Sequence, residues 1–458
     1  MNQLKDSGAR GLFTCPSLLD TAVEAAKQAG IPPSNVFVID VPGNVAAPGT
    51  DPTKFLSVED LIDTGRRLAA LPPLRWTKGQ GREQAAYLCY SSGTSGPPTG
   101  VMISHRNIIA NVIQMTLYES TTGLSRKEPD TILGVLPQSH IYSIVLTTHL
   151  PTFRGDTVVT MVKFELTTVI RAIKRFQMTL LYVVPPMLIS LIKQGASAKD
   201  PTSFDLPSVR RIFCGAAPLS EELSSQIRKR YPKLLLGQGY GMTESATVIS
   251  SHPKTVCDGS SGCIVPGLDI KIVDADGNDV SDRVNKRGEL FVRGPNVTLG
   301  YYRNEKATQE TFGDGWLRTG DEVELRLHPE TKDPHLFVVD RVKELIKVSG
   351  FQVAPAELEG HLLDHPLVAD CAVIPVENDR SGEVPKAFVV LAKDAGVDHG
   401  AAEKQLKDWV SEHKSKHKHL RGGVEFLPAI PKSPSGKILR RLLRDREKAR
   451  LSKSVAKL

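Results

Sequence analysis

The feature that most constrains this chain is the alternation, between about residues 35 and 245, of short apolar runs with amphipathic segments. The runs at 35–39, 131–136 and 180–184 lack the polar alternation of a half-exposed strand and read as buried parallel strands. Between them, 104–118 (with Ser104 as N-cap), 166–176 and 221–231 have the helical period. This repetition predicts an α/β fold with a parallel sheet covered by helices on both faces. After Gly262 short strands broken by turns predict a small β-subdomain running to about Val339. From Arg341 a compact α+β unit follows, helical and basic from Ile438 onward. The expected division is a large N-terminal domain, 1–339, with its β-subdomain at 262–339, and a small C-terminal domain, 341–458. The stretch 42–80, rich in Pro, Gly and Asp, reads as a surface connection.

Several function classes fall away on composition. The longest apolar stretch, 180–192, is interrupted by Pro185, Pro186 and Ser190 and is too short for a membrane span. The first residues have no apolar core and are not expected to act as a secretory signal. Six scattered cysteines form no CxxC pair, which predicts reduced thiols and no zinc framework. The net charge of +7 is concentrated late: residues 341–458 hold 22 basic and 16 acidic side chains. No zinc-finger spacing or aromatic–basic interleaving accompanies that charge, so nucleic acid is not an expected partner. His413, His417 and His419 lie among lysines with no carboxylate or cysteine pattern and read as a solvated face.

Chemistry concentrates first at Ser91, Ser92, Gly93, Thr94, Ser95 and Gly96, after the apolar strand 86–90 and ahead of the helix at 104. Such a loop gathers backbone N–H groups and hydroxyls into a nest for a phosphate, although a flexible Ser/Gly turn has the same composition. It lacks the Gly-Lys-Ser/Thr of a Walker loop. Further along come Gly215-Ala216-Ala217-Pro218-Leu219, Gln238-Gly239-Tyr240-Gly241-Met242-Thr243-Glu244 and Gly300-Tyr301-Tyr302. Thr319-Gly320-Asp321, Asp340-Arg341-Val342-Lys343-Glu344-Leu345-Ile346-Lys347 and Pro431-Lys432-Ser433-Pro434-Ser435-Gly436-Lys437 complete the set.

This ordered series, spanning about 87–441, resembles the ANL superfamily of adenylate-forming enzymes, and within it the 4-coumarate–CoA ligase-like acyl-CoA ligases. The resemblance implies a mobile small domain that rotates about a hinge near 340–343. It also implies ATP, Mg2+ and coenzyme A as cofactors. On this resemblance Ser91–Gly96 hold phosphates, Thr243 contacts the α-phosphate and Glu244 ligates the metal. Ala216, Gln238, Gly239 and Tyr240 border the adenine, Asp321 and Arg341 meet the ribose, and Lys343 is the hinge. Lys347 is implied as a nucleotide contact, and Lys437 as the catalytic lysine of adenylation. His140, Tyr142, Phe213, Ala216, Gly241 and Val248 are implied to border the acid. Lys163, Ser349 and Gly350 fall where the family meets CoA.

The activity so implied is acid–CoA ligation of an aromatic, hydroxycinnamate-like or medium aliphatic acid through an acyl-AMP. The alternatives are transfer to a carrier-protein thiol, or a truncated, non-catalytic nucleotide-binding protein. Three departures from the pattern matter. Thr99 stands where the phosphate loop carries a lysine, and Ser349 replaces a lysine of the CoA tunnel. A further α/β segment that precedes 12–40 in the family is missing here, an expected source of uncovered apolar surface. Finally, Ala456-Lys457-Leu458 is a close variant of the Ser-Lys-Leu tripeptide. It predicts a peroxisomal import receptor as partner and the peroxisome as location, with the cytoplasm as the alternative.

Overall fold

The computed structural model describes residues 2–41, 49–91, 99–124, 128–197, 206–219, 221–378, 380–392, 396–433 and 436–455. Helix α1 (Asn2–Ser7) leads into β1 (Leu12–Thr14), α2 (Leu19–Ala29) and β2 (Val36–Val38), and β1 and β2 pair in parallel. The run at 35–39 is therefore a strand, but at three residues it joins this local pair and not the main sheet. The expected surface connection contains a helix, α3 (Val58–Gly65), started by a reciprocal capping box between Ser57 and Asp60.

A second correction concerns the Ser/Gly loop. Strand β3 (Ala85–Ser91) does not lead directly to a helix: β4 (Thr99–Ser104) turns back on it, pairing Ser91 with Thr99. The loop therefore joins the strands of an antiparallel hairpin. Helix α4 (His105–Thr121) begins where expected, with Ser104 and Asn107 forming its capping box.

Next comes the parallel sheet: β5 (Thr131–Gly134), β6 (Thr157–Thr160), β7 (Leu180–Val183), β8 (Arg211–Cys214) and β9 (Leu235–Gln238), in the order β6–β5–β7–β8–β9. Interleaved helices include α5 (Leu150–Arg154), α6 (Leu166–Phe176) and α7 (Glu221–Arg230). The period-2 pleat divides the strand residues between two cores. Leu180 and Tyr182 pack with Ile108, Val112 and Met115 of α4, whereas Leu181 and Val183 pack with Val169, Ile170 and Ile173 of α6. Ile109, Ile113 and Leu117 form an exposed apolar row on α4.

Beyond β9, β10 (Tyr240–Met242), β11 (Thr247–Ser251) and β12 (Cys263–Ile264) form a three-stranded sheet. Then β13 (Asp269–Val273), β14 (Arg287–Arg293), β15 (Leu317–Leu327) and β16 (Pro334–Arg341) make a four-stranded antiparallel meander. The last unit builds a five-stranded sheet from β17 (Ile346–Val348), β18 (Phe351–Val353), β19 (Val368–Asn378), β20 (Gly382–Leu391) and β21 (Val424–Phe426). Around it lie α8 (Pro355–Leu363), α9 (His399–His413) and α10 (Arg440–Val455). Its core is its own, built on Ile346, Val348, Leu358, Val373, Val389 and Leu406. Among the described residues no helix is long and apolar enough to cross a membrane.

Candidate active site

The chain leaves β5, β7, β8 and β9 at their C-terminal ends onto one cleft of about 1300 Å3, where ligands collect in open α/β sheets. Its other walls come from β15, β16, α8 and Lys432, Ser433, Gly436, Lys437, Ile438 and Arg440. Asp321 and Arg341 are cross-strand partners on β15 and β16, so pairing alone sets carboxylate beside guanidinium, with Arg341 Nε 3.5 Å from Asp321 Oδ1. The Tyr240 hydroxyl donates to Asp321 Oδ2 at 2.5 Å. Burial raises the Asp321 carboxyl above its ordinary range, against the pull of Arg341 and Tyr240. Burial, and then Asp321, drive the Tyr240 phenol well upward.

Lys437 reaches this acid–base pair from the small domain. Its turn is closed by Ser433 N–H to Lys437 O at 2.8 Å and by Lys437 N–H to Ser433 Oγ at 3.2 Å. Burial, then repulsion from Arg341, lowers the ammonium to about 8, while Glu344, Asp321 and Glu244 draw it back up. Across the cleft, His140 Nδ1 accepts Tyr142 N–H at 3.2 Å. A neutral ring that accepts at Nδ1 carries its proton on Nε2, so that nitrogen is a donor. Burial, and then Lys437, lower the imidazole's affinity for a second proton.

Glu244 is buried beside Thr243, and its Oε1 accepts the Tyr301 hydroxyl at 2.9 Å. Gly239 permits a close approach: a Cβ there would lie 2.1 Å from Phe213 Cζ. Ala216 takes a left-handed turn at φ 67 after β8 and lines the cleft, as does Gly241. Gln238 lines it too, but its side chain is spent internally, accepting Leu219 N–H at 2.7 Å and donating to Ser261 Oγ at 2.9 Å. That amide shapes the wall more than it offers a nucleotide contact.

At its inner end the cleft runs into the main core at Tyr142, Leu146, Phe213 and Val248. The Tyr142 hydroxyl donates to Phe213 O at 3.0 Å and lies 3.3 Å from Val183 O, and Thr247 Oγ1 donates to Ile141 O at 3.0 Å. The hydroxyl protons of Tyr142 and Thr247 are thus already donated to backbone carbonyls.

Of the residues expected at the site, Ser91 and Lys343 also line the cleft, together with Thr99. Ser92, Gly93, Thr94, Ser95 and Gly96 lie outside the described residues. Four expected residues are not brought in. Lys163 is exposed beyond β6, and Lys347, Ser349 and Gly350 are exposed on the β17–β18 hairpin, outside the cleft lining. The hairpin holds them on the small domain's own sheet. Three contributors were given no role from the sequence: Tyr301, Glu344 and Arg440. Tyr301 stood inside a quoted motif, whereas Arg440, whose guanidinium bonds Glu344 at 3.0 Å and Glu359 at 2.7 Å, carried no signal.

Residues 1–302 match the AMP-binding enzyme family, and residues 357–437 match the AMP-binding enzyme C-terminal domain. The chain belongs to the AMP-binding enzyme family. Acyl-CoA ligase lcsD of Purpureocillium lilacinum is 47% identical over 351 residues, covering 76% of this chain and 89% of that protein. Acyl-CoA ligase AKT1 of Alternaria alternata is 36% identical over 452 residues, 97% of this chain and 76% of that protein. Among solved structures, the anthranilate CoA ligase AuaEII in complex with anthranoyl-AMP superposes with a TM-score of 0.80 at 26% identity. That match covers 97% of this chain and 79% of that one. This AMP-binding enzyme is an ATP-dependent, AMP-forming acid–thiol ligase, with the mixed α/β architecture of its class.

Proposed function

We propose that this ligase activates an acid with an apolar tail, a planar aromatic or medium aliphatic one, and passes the acyl group to coenzyme A. The observation that carries the reading is the convergence of Lys437, Arg341, Asp321, Glu244 and His140 on a cleft whose inner end is apolar. In the first half-reaction a carboxylate oxygen bonds to the α-phosphorus of ATP as the bond to pyrophosphate breaks. Lys437 and Arg341 offset the negative charge that accumulates, and His140 Nε2–H holds the acid's carboxylate. In the second, the CoA thiolate attacks the acyl carbon and AMP leaves. Lys437 has no task in that step, so we propose that the small domain turns about Lys343 between the two. Such a turn gives the β17–β18 hairpin, with Ser349 and Gly350, its occasion to face the cleft.

Mg2+ suits the donor set. Glu244 offers one buried carboxylate with a single hydrogen-bonded oxygen, and no group of three or more His, Cys, Asp or Glu among the described residues forms an all-protein cage. A magnesium ion shared between one carboxylate and substrate phosphates needs no more. When bound, it supplies charge neutralisation between phosphates.

Because the hydroxyl protons at the inner end are already donated, a tail that carries only an acceptor there, such as a nitro group, would bury it without a spare donor, which costs about 1–3 kcal/mol. Cinnamate and octanoate are therefore expected to exceed 4-nitrocinnamate by about tenfold or more in kcat/KM. A panel of acids assayed for pyrophosphate release, with and without CoA, tests the proposal. Release with no acyl-CoA formed would transfer the acceptor role to a carrier-protein thiol. No ATP–pyrophosphate exchange with any acid would leave a non-catalytic nucleotide-binding protein.

We further propose that Ala456-Lys457-Leu458, outside the described residues, is read by the peroxisomal import receptor. A fluorescent protein fused ahead of the full chain should collect in peroxisomes, and removal of Leu458 should return it to the cytosol. A diffuse signal from both fusions would place the enzyme in the cytoplasm.

A further inference from the structure

Helix α8 begins behind Ala354, whose methyl side chain offers no acceptor for the helix's free N–H groups. The missing cap comes from the other side of Lys343. Asp340, on β16, accepts Ala356 N–H through Oδ2 at 2.9 Å and its own neighbour's Arg341 N–H through Oδ1 at 2.7 Å. Asp340 is buried, and Ala356 itself lines the cleft. A carboxylate at a helix N-terminus makes a charge-assisted bond favoured by the helix dipole.

The contact sits in a shared ionic node. Arg440, three residues beyond Lys437, reaches Glu344 just after Lys343 and Glu359 on α8, and its charge also stabilises the Asp340 carboxylate. The segment bearing Lys437, the start of α8 and the strand that ends the large domain therefore meet at one point. Glu344, Glu359 and Arg440 all follow residue 343 and move together in any rotation there. The Asp340–Ala356 bond alone among these hydrogen bonds joins a residue before 343 to one after it, with the Arg440 charge beside it, so a rotation there must break it.

We propose that Asp340 is a positioning residue, and that its bond to the first turn of α8 is the latch holding the small domain where Lys437 reaches the cleft. This rests on the two-orientation reading above. The latch serves adenylation and is released before thioester formation, so its loss divides the two half-reactions. A cap with a purely structural role would lower both together.

The test measures the half-reactions separately in the full-length enzyme, with octanoate or cinnamate, whichever supports ATP–pyrophosphate exchange. Asp340→Ala is expected to slow exchange about tenfold, the scale of a lost helix cap. Conversion of the purified acyl-adenylate and CoA to thioester should stay unchanged or quicken. Asp340→Asn, which keeps a carbonyl acceptor, should recover most of the exchange rate. Ala354→Ser gives α8 a cap of its own without loss of stability, and should slow exchange about twofold to threefold while sparing the thioester step. Equal slowing of both steps by Asp340→Ala, or no change in either, overturns the latch. Should Asp340→Ala fail to fold, an unchanged ratio of the two rates in Ala354→Ser overturns it instead. Failure of the underlying reading shows elsewhere: Lys437→Ala would then slow both half-reactions alike.

Discussion

Lys437→Ala is expected to slow adenylation about a thousandfold, the upper range for removal of one aimed donor from a charge-developing transition state. Conversion of a supplied acyl-adenylate to thioester should stay within about twofold of the wild-type rate. The inequality follows from placement. Lys437 stands in the cleft beside Arg341 and Asp321 but belongs to a turn of the small domain, closed by Ser433. On the proposed rotation about Lys343, a side chain carried by the small domain serves the orientation that delivers it. The pH profile gives an independent check, because burial and Arg341 lower this ammonium to about 8. The protonated form is the active one, so kcat/KM for the first step should hold below pH 8 and fall about tenfold per unit above it. Lys437→Arg should lose that alkaline limb even if its rate is low. Equal loss of both half-reactions in Lys437→Ala would refute the division of labour, and an alkaline limb that survived in Lys437→Arg would assign it to another group.

The parallel sheet was legible because strands covered on both faces must be apolar throughout, and the runs at 131–136 and 180–184 are. The cleft's polar residues were legible for a different reason. Backbone demands at Gly239, and cross-strand pairing at Asp321 and Arg341, confine chemistry to short motifs that survive as sequence patterns. The hairpin was missed because residues 99–103 make a run too short to separate from the helix that follows. Helix α3 was missed although Ser57 and Asp60 stood in capping-box spacing within a Pro- and Gly-rich stretch. No spacing rule reaches the buried ionic contacts. Arg440 meets partners 81 and 96 residues away, and only tertiary packing shows that the segment bearing Lys437 and residues 340–344 share a node. Lys347 illustrates the opposite failure: its motif is clear, but its strand holds it exposed on the small domain, outside the cleft lining.

Glu119→Gln is expected to destabilise the large domain by about 3–5 kcal/mol, the cost of breaking a buried ionic cluster by removing one partner. Glu119, near the end of α4, lies 2.7 Å from Arg211 on β8 and 2.7 Å from Arg154 on α5, and its side chain is 5% exposed. The Arg211 contact is a hydrogen bond, whereas Arg154 meets the carboxylate at an angle too poor to count as one. One carboxylate thus pairs with two guanidinium groups, with Asp130 beside Arg211, and among the described residues the Tyr182 hydroxyl has no hydrogen-bond partner. Neutralising Glu119 leaves two buried cations facing each other across α4, α5 and β8, and the loss should appear as a lower urea midpoint at unchanged m-value. The effect should be confined to stability. Arg211 opens β8, whereas the cleft lies at that strand's far end, so molecules that remain folded should adenylate at the wild-type rate. Replacing Glu119, Arg154 and Arg211 together with Leu, Met and Met should recover much of the lost stability, because the penalty is unpaired charge and not missing volume. A triple variant no more stable than Glu119→Gln would show that the cluster contributes packing geometry that apolar side chains cannot replace.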